Sequence, residues 1–321
     1  MAEYLLDIQG LKLSFSSEEG KTEVLDDITL QISNGDVMGL LGESGSGKSV
    51  TGLSVMGLLP KTARIEAGSM YFQGRSVMDL SPNEYKHLRG GQVGMVFQSP
   101  GATLNPLIRI GKQIDEVLEL HRSIRGKAAR DESLHLIDRV NLPPRVYRQY
   151  PHELSGGMQQ RAAIAIAIAC HPDLLILDEP TSALDVTVQS EILFLLNSLR
   201  TEGLVKSILF ITHDVGVMYE ICNYVSIMYA GQIMESGPVK DVLSNPVHPY
   251  TCGLIGAVPK MNNHDRLRYI MGTVPNLMEP LSGCRFQTRC EQYTQKCKER
   301  PSVTLRGDYH RIWCHLAREG A

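Results

Sequence analysis

The stretch Gly42-Glu43-Ser44-Gly45-Ser46-Gly47-Lys48-Ser49 limits what this chain can fold into more than any other. It follows an apolar run, Val37-Met38-Gly39-Leu40-Leu41, that reads as a buried parallel strand, and it precedes a helical pattern from Val50 to Leu59. The spacing G-x-x-x-x-G-K-S lets Gly42, Gly45 and Gly47 take backbone angles closed to other residues. Consecutive N–H groups and a helix N-terminus then converge on one anion. Lys48 is expected to reach the β- and γ-phosphates of a nucleotide and the Ser49 hydroxyl to ligate Mg²⁺, with Ser44, Ser46 and Val50 completing the cradle. A strand–loop–helix of this kind calls for an α/β core.

At 321 residues the chain has room for one large domain and an appendage. A formal net charge of −3 makes no general case for nucleic-acid binding. Met1-Ala2-Glu3-Tyr4 opens no signal peptide. The apolar run Ala162 to Cys170 falls well short of the roughly 18 residues a membrane span needs. The expectation is a soluble, cytoplasmic chain that meets a membrane only through a partner. Its 7 cysteines are then expected as reduced thiols or metal ligands rather than disulfides.

Leu5 to Phe15 alternates as a strand, and Phe15 is a candidate to stack on a nucleotide base, although a half-buried strand phenylalanine fits the pattern equally well. Strands are also expected near Ile28 to Ile32, Gly68 to Gln73 and Val93 to Phe97. The last ends in Gln98, at the carboxyl end of a strand where ligand-facing residues collect; an ordinary first loop residue is the plainer reading. Residues 99 to about 153 change to helical spacing, as a helical insertion would. Leu154-Ser155-Gly156-Gly157-Met158-Gln159 then opens an Ala/Ile helix, with Ser155 as its cap and two glycines leaving the helix end uncovered, a second anion-binding end. Leu174 to Leu177 reads as a buried strand ending in Asp178-Glu179. Adjacent carboxylates there are costly unless they hold a cation or do acid–base work. With a phosphate loop upstream, Asp178 is expected on the Mg²⁺ side, and Glu179 is expected to orient and deprotonate a water. His213, after the strand Ile208 to Ile211, is a candidate to reach a γ-phosphate. Beyond Gly237-Pro238 the composition shifts to an irregular, proline-bearing tail.

In order and spacing, Gly42 to Ser49, Gln98, Leu154 to Gln159, Leu174 to Glu179, Ser182 to Asp185 and His213 resemble the ATP-binding-cassette family. The resemblance implies a P-loop NTPase with a RecA-like core, an antiparallel β portion and a helical subdomain at about 99–170, inserted in a nucleotide-binding domain of residues 1–250. It assigns Phe15 to the A-loop, Gly42 to Ser49 to Walker A, Gln98 to the Q-loop touching Mg²⁺, and Leu154 to Met158 to the signature, with Ser155, Gly157 and Gln159 among the nucleotide-binding residues. It assigns Asp178 and Glu179 to the end of Walker B, Ser182 to Asp185 to the D-loop, and His213 to the switch histidine. It also implies a sandwich dimer, with ATP held between the loop of one cassette and the signature of another, and hydrolysis with Lys48, Glu179 and His213 as catalytic residues.

The tail, residues 251–321, is similar to the C-terminal extension of dipeptide and oligopeptide permease ATPases, through Asn245-Pro246-Val247-His248-Pro249-Tyr250-Thr251, Ala257-Val258-Pro259, Gly272 to Asn276 and Gly283-Cys284-Arg285-Phe286 to Arg289-Cys290. That implies an ATPase subunit of a peptide importer at the cytoplasmic face of the membrane. Its partners would be a second, different ATPase, two transmembrane permease subunits and, indirectly, an extracytoplasmic peptide-binding protein; nucleic acid is not among them. The alternatives are a soluble cassette acting on nucleic acid or ribosomes, or an importer ATPase for a solute such as nickel. Cys284, Cys290, Cys297 and Cys314 leave three readings open: a [4Fe–4S] cluster, which the resemblance favours, structural zinc, or unconnected thiols. Arg285, Arg289, Lys296, Lys298, Arg300 and Arg311 would offset a thiolate-bound cluster, or else form a solvated basic face.

Overall fold

The strand before the glycines is where the sequence puts it, β3 at Val37–Leu41, with all of its residues buried. A continuous apolar run suits a parallel strand covered on both faces. The computed structural model describes residues 4–18, 20–182, 184–258, 270–279 and 281–317. The chain divides into two compact units, residues 1–32, 37–78 and 212–321 in the first and residues 33–36 and 79–211 in the second.

In the first unit, β1 (Leu6–Ser17), β2 (Gly20–Ile32), β4 (Ala63–Phe72) and β5 (Arg75–Ser76) form an antiparallel sheet of order β2-β1-β4-β5. Leu6 pairs with Ile32 on one side and Phe72 on the other, and Leu11 and Leu13 turn inward as their alternation requires. This is the antiparallel β portion that the resemblance implied. β2 starts well before Ile28 and β4 before Gly68, because cross-strand pairing carries polar residues that single-strand periodicity does not reveal. β3 runs parallel to β9 (Tyr224–Tyr229), which forms a hairpin with β10 (Gln232–Pro238). Ala230 and Gly231, at φ of 46° and 82°, make the hairpin turn. The helices are α1 (Lys48–Val55), α8 (Val215–Ile221), α9 (Val239–Ser244) and α10 (Pro249–Gly256). α1 stops short of Leu59 because Gly57 turns left-handed at φ 58°. The described part of the tail carries two short strands that its prolines do not suggest. β11 (Thr304–Arg306) pairs with β12 (His310–Ile312), and β12 adds to β10 through Glu235↔Ile312.

In the second unit, β6 (Val93–Val96), β7 (Leu174–Asp178) and β8 (Ser207–Thr212) are parallel neighbours in that order, with Asp178 beside Ile211. α2 (Pro82–Leu88) precedes them behind a Ser81/Glu84 capping box. Between β6 and β7 come α3 (Pro100–Thr103), α4 (Ile110–Arg122), α5 (Gly126–Arg139) and α6 (Gly156–Ile168); α7 (Val186–Thr201) comes after β7. Asp115 of α4 ties this helical part together, accepting from Ser133 and Tyr147 hydroxyls at 2.7 Å each and from Lys112 at 2.9 Å. A buried carboxylate with three donors is satisfied rather than strained.

Candidate active site

Gly42 passes so close to β9 that a Cβ on it would lie 2.0 Å from the Met228 carbonyl oxygen. Gly45 and Gly47 follow at φ of 76° and 103°, the left-handed region that favours glycine. α1 begins at once on Lys48 with no side-chain cap, so no side chain covers the helix end. Lys48 is 4% exposed, and its ammonium donates to the Gly42 and Glu43 carbonyl oxygens at 2.8 Å each. Ser46 and Gly47 are buried, while Ser44 and Gly45 face solvent, and Ser49 and Val50 are half-buried at the start of α1. Gly231 N–H donates to the Ser46 carbonyl at 2.9 Å. A buried ammonium inside a loop whose backbone is held open by glycine fits a polyphosphate. Phe15 is half-buried in β1 between Thr22 and Ala63, as either of its readings requires.

The carboxylates belong to the second unit. Asp178 closes β7 at 6% exposure. Glu179 follows at φ 46°, a left-handed conformation that costs a non-glycine residue on the order of 1 kcal/mol or more. It is held there by bonds on several sides. Its N–H donates to Ile211 O at 2.9 Å, and Ser182 donates to its carbonyl through N–H and Oγ at 3.3 and 3.1 Å. Its carboxylate accepts from Gln98 Nε2 at 2.9 Å. Two residues picked out separately, 81 positions apart, are thus in direct contact.

Ser155 caps α6 by accepting from Met158 N–H at 3.4 Å. Ser155 and Gly156 are exposed and Gly157 half-buried. A Cβ on Gly157 would meet Val188 at 2.9 Å. Gln159 turns back, its amide donating to Pro151 O and Leu154 O at 2.9 and 3.3 Å, so it fastens the turn before α6. Asp185 caps α7 through Val188 N–H at 3.0 Å. Ala183 of the same loop and Pro259 of the tail motif lie outside the described residues. His213 is exposed just beyond β8, and Asp214 after it caps α8.

One set of contacts had no sequence signal beyond a family marker. Glu43 N–H donates to the Tyr250 hydroxyl at 3.0 Å, and Glu43 accepts from Arg289 at 2.9 Å. The only hint was that a tyrosine placed in an apolar helical turn needs a partner for its hydroxyl.

Residues 25–182 match the family model for the ABC transporter, and residues 234–297 match the model for the C-terminal region of the oligopeptide/dipeptide transporter. The oligopeptide transport ATP-binding protein OppD of Salmonella typhimurium is 44% identical over 94% of this chain and 90% of its own length. Its namesake in Haemophilus influenzae is 42% identical over 96% and 97%. A probable peptide ABC transporter ATP-binding protein of Sinorhizobium fredii is 43% identical over 94% and 91%. Among solved structures, the dimeric ATP-binding cassette MJ0796, in a post-hydrolysis state with ADP and Pi, superposes with a TM-score of 0.66 at 27% identity, covering 73% of this chain and 98% of that one. The structure of cbiO1 of Clostridium perfringens, part of the ABC transporter complex cbiONQ, gives a TM-score of 0.65 at 28% identity, covering 76% of this chain and 92% of that one.

The iron–sulfur cluster expected on Cys284, Cys290, Cys297 and Cys314 is not supported. Among the described residues no group of three or more His, Cys, Asp or Glu side chains is arranged to hold a metal ion, and the matched families are described by ATP binding and transport alone. Burial raises the Cys290 and Cys314 thiols and pushes Cys284 up to about 12. Cys297 Sγ instead accepts from Thr294 N–H at 3.5 Å. Of the four arginines expected to offset a cluster, three face carboxylates: Arg285 pairs with Glu23 and Asp26, Arg300 with Asp26 and Asp27, and Arg289 with Glu43, while Arg311 donates to Gln31 Oε1 at 3.2 Å.

Proposed function

The chain belongs to the ATP-binding subunits of the oligopeptide and dipeptide ABC transporters, and from that premise we propose how its residues divide the work. It is an ATPase that energises peptide import, binding ATP with Mg²⁺ and acting with membrane permease subunits. It joins the membrane peripherally: among the described residues no helix is long and apolar enough to cross one. The peptide-transport names of its relatives leave the nucleic-acid alternative without support.

In this reading Gly42, Ser44, Gly45, Ser46, Gly47 and Val50 wrap the phosphates, Lys48 pairs with the β- and γ-phosphates, and Phe15 stacks on the base. Ser49, Gln98 and Asp178 would hold Mg²⁺, which neutralises charge on the phosphate oxygens. Glu179, aimed by Gln98, takes the proton of the attacking water, and His213 faces the γ-phosphate. Ser155, Gly157 and Gln159 of a second cassette close on the nucleotide from its open side. The finer composition is part of the same proposal: two permease subunits, a second and different ATPase, peptide delivered by an extracytoplasmic binding protein, the cytoplasmic face as location, and a division into cassette and cysteine-bearing extension near residue 250.

The observation that carries this reading is the formed phosphate loop, with Lys48 buried and tethered to Gly42 and Glu43. Glu179→Gln tests it. Hydrolysis should fall about 10²- to 10⁴-fold, the worth of a general base, while ATP stays bound and dimer accumulates in size-exclusion chromatography. A variant that neither retains ATP nor dimerises more than wild type overturns the sandwich.

A further inference from the structure

The phosphate loop is backed by the C-terminal segment, and both contacts fall on Glu43. The Glu43 N–H donates to Tyr250 Oη at 3.0 Å, and its carboxylate accepts from Arg289 at 2.9 Å. The N–H of Glu43 and the carbonyl of Gly42 belong to one planar peptide unit. That carbonyl also accepts from the Lys48 ammonium at 2.8 Å. Holding the N–H on Tyr250 therefore aims the carbonyl that holds Lys48.

The brace itself is rigid. Tyr250, in the first turn of α10, is fully buried with its ring centroid 4.7 Å from that of Tyr229 and 5.3 Å from that of Phe286. Arg289 has a side chain only 6% exposed, and its other bonds go to Tyr229 Oη at 3.2 Å, Met271 O at 2.9 Å and Ile270 O at 3.3 Å. A guanidinium whose planar fork is filled this way has one orientation. The far side of the loop is held indirectly. Ser46 O accepts from Gly231 N–H, and the neighbouring Ala230 carbonyl accepts from Arg285.

We propose that Tyr250 and Arg289 are positioning residues of the ATP site: acting through Glu43, they hold the phosphate loop in its anion-binding curvature, so the C-terminal segment sets nucleotide affinity. Neither residue needs to touch ATP. A loop with glycines at Gly42, Gly45 and Gly47 loses much conformational freedom on ordering. A brace already in place removes that cost from the binding step. The inference rests on reading the loop as the ATP site.

The test uses the full-length chain, titrated with Mg²⁺-ATP, and steady-state ATPase kinetics in the assembled transporter, with thermal unfolding alongside. Tyr250→Phe keeps the ring and removes only the hydroxyl. It should raise the Kd and KM for ATP about threefold to tenfold, the size of one lost hydrogen bond, with kcat within about twofold of wild type. Arg289→Ala should do the same and Arg289→Lys less. Should Arg289→Ala not fold, Glu43→Gln breaks the same ion pair from the half-exposed loop side. Glu43→Gln and Arg289→Ala together should cost no more than the larger single effect, because they remove one contact. Unchanged Kd and KM in folded Tyr250→Phe and Glu43→Gln, with only the melting temperature lowered, would overturn the brace alone. Wild-type protein that does not bind Mg²⁺-ATP would instead take the ATP-site reading down, and the brace with it.

Discussion

Glycine stands at the N-terminus of both α1, as its cap Gly47, and α6, as its first residue Gly156, with one end wrapped and the other laid open. At α1, Gly47 is left-handed, no side chain caps the helix, and Ser46, Gly47 and Lys48 are buried inside a loop that folds over them. At α6, Ser155 and Gly156 are exposed, a Cβ on Gly156 would meet nothing within 4 Å, and the Ser155 hydroxyl takes Met158 N–H for itself. The same local device, an N-terminus bared by glycine, thus makes a self-sufficient anion cradle in one place and an open face in the other. The first can bind a nucleotide within one chain. The second is the end that the proposed sandwich would set against the nucleotide of another cassette.

Lys48→Ala should break the wrapped end outright. Removing one side of a close charged contact weakens Mg²⁺-ATP binding about 10²-fold or more, seen by titration, while hydrogen exchange at Met158 on the open end stays as in wild type. Equal loss of protection at both ends would mean that the variant had simply unfolded.

Acid should loosen the wrapped end's backing and spare the open one. His248 is pushed down to about 4 by burial, against the pull of Glu235, and its neutral Nδ1 accepts from Tyr250 N–H at 3.1 Å. Glu235 accepts from His248 N–H at 2.9 Å and pairs with His310 at 2.7 Å, so these are the titratable groups on this node. The folded pKa lies below the unfolded one, near 6.5. The contribution is therefore whole above pH 6.5 and lost as pH falls toward 4, up to about 3 kcal/mol. Urea unfolding at pH 7.5 and pH 5 should show about 2 kcal/mol of that loss in wild type and much less in His248→Asn, which keeps a cap acceptor but does not titrate. Equal losses would clear His248.

Ser155→Ala is the smallest change. Losing the cap should cost α6 about 1 kcal/mol, and it should lower ATPase turnover in the assembled transporter more than it lowers ATP affinity of the isolated chain. The reverse order would mean that the open end takes part in binding within one chain.

The parts of the site that were legible in sequence are short and contiguous. Val37–Leu41 with its glycine loop, and Leu174–Asp178 with its carboxylates, carry strand, turn and helix signals inside a dozen residues. Gln98 was picked as a strand-end residue, but nothing local shows that it bonds to Glu179 or that Glu179 is left-handed. The cysteines misled for the same reason. Four thiols close in sequence say nothing of where each Sγ points, and Arg285, Arg289 and Arg300 between them, placed by sequence against a cluster or solvent, face Asp26, Glu23 and Glu43. β12 was missed because a three-residue strand, His310–Ile312, is too short to show a period.

The sequence by itself determined the chemistry: a loop that only glycine can form, a lysine and a serine at its end, and a carboxylate pair after a buried strand. These follow from local rules, since the backbone angles and the groups that need them are neighbours in the chain. Only the tertiary structure decided what supports that chemistry. Tyr250 and Arg289 lie 207 and 246 residues from Glu43, and hydrogen bonds over such separations depend on which faces the fold brings together. No pattern within one segment encodes that choice, because the direction of a buried guanidinium or hydroxyl is set by the partners packed around it.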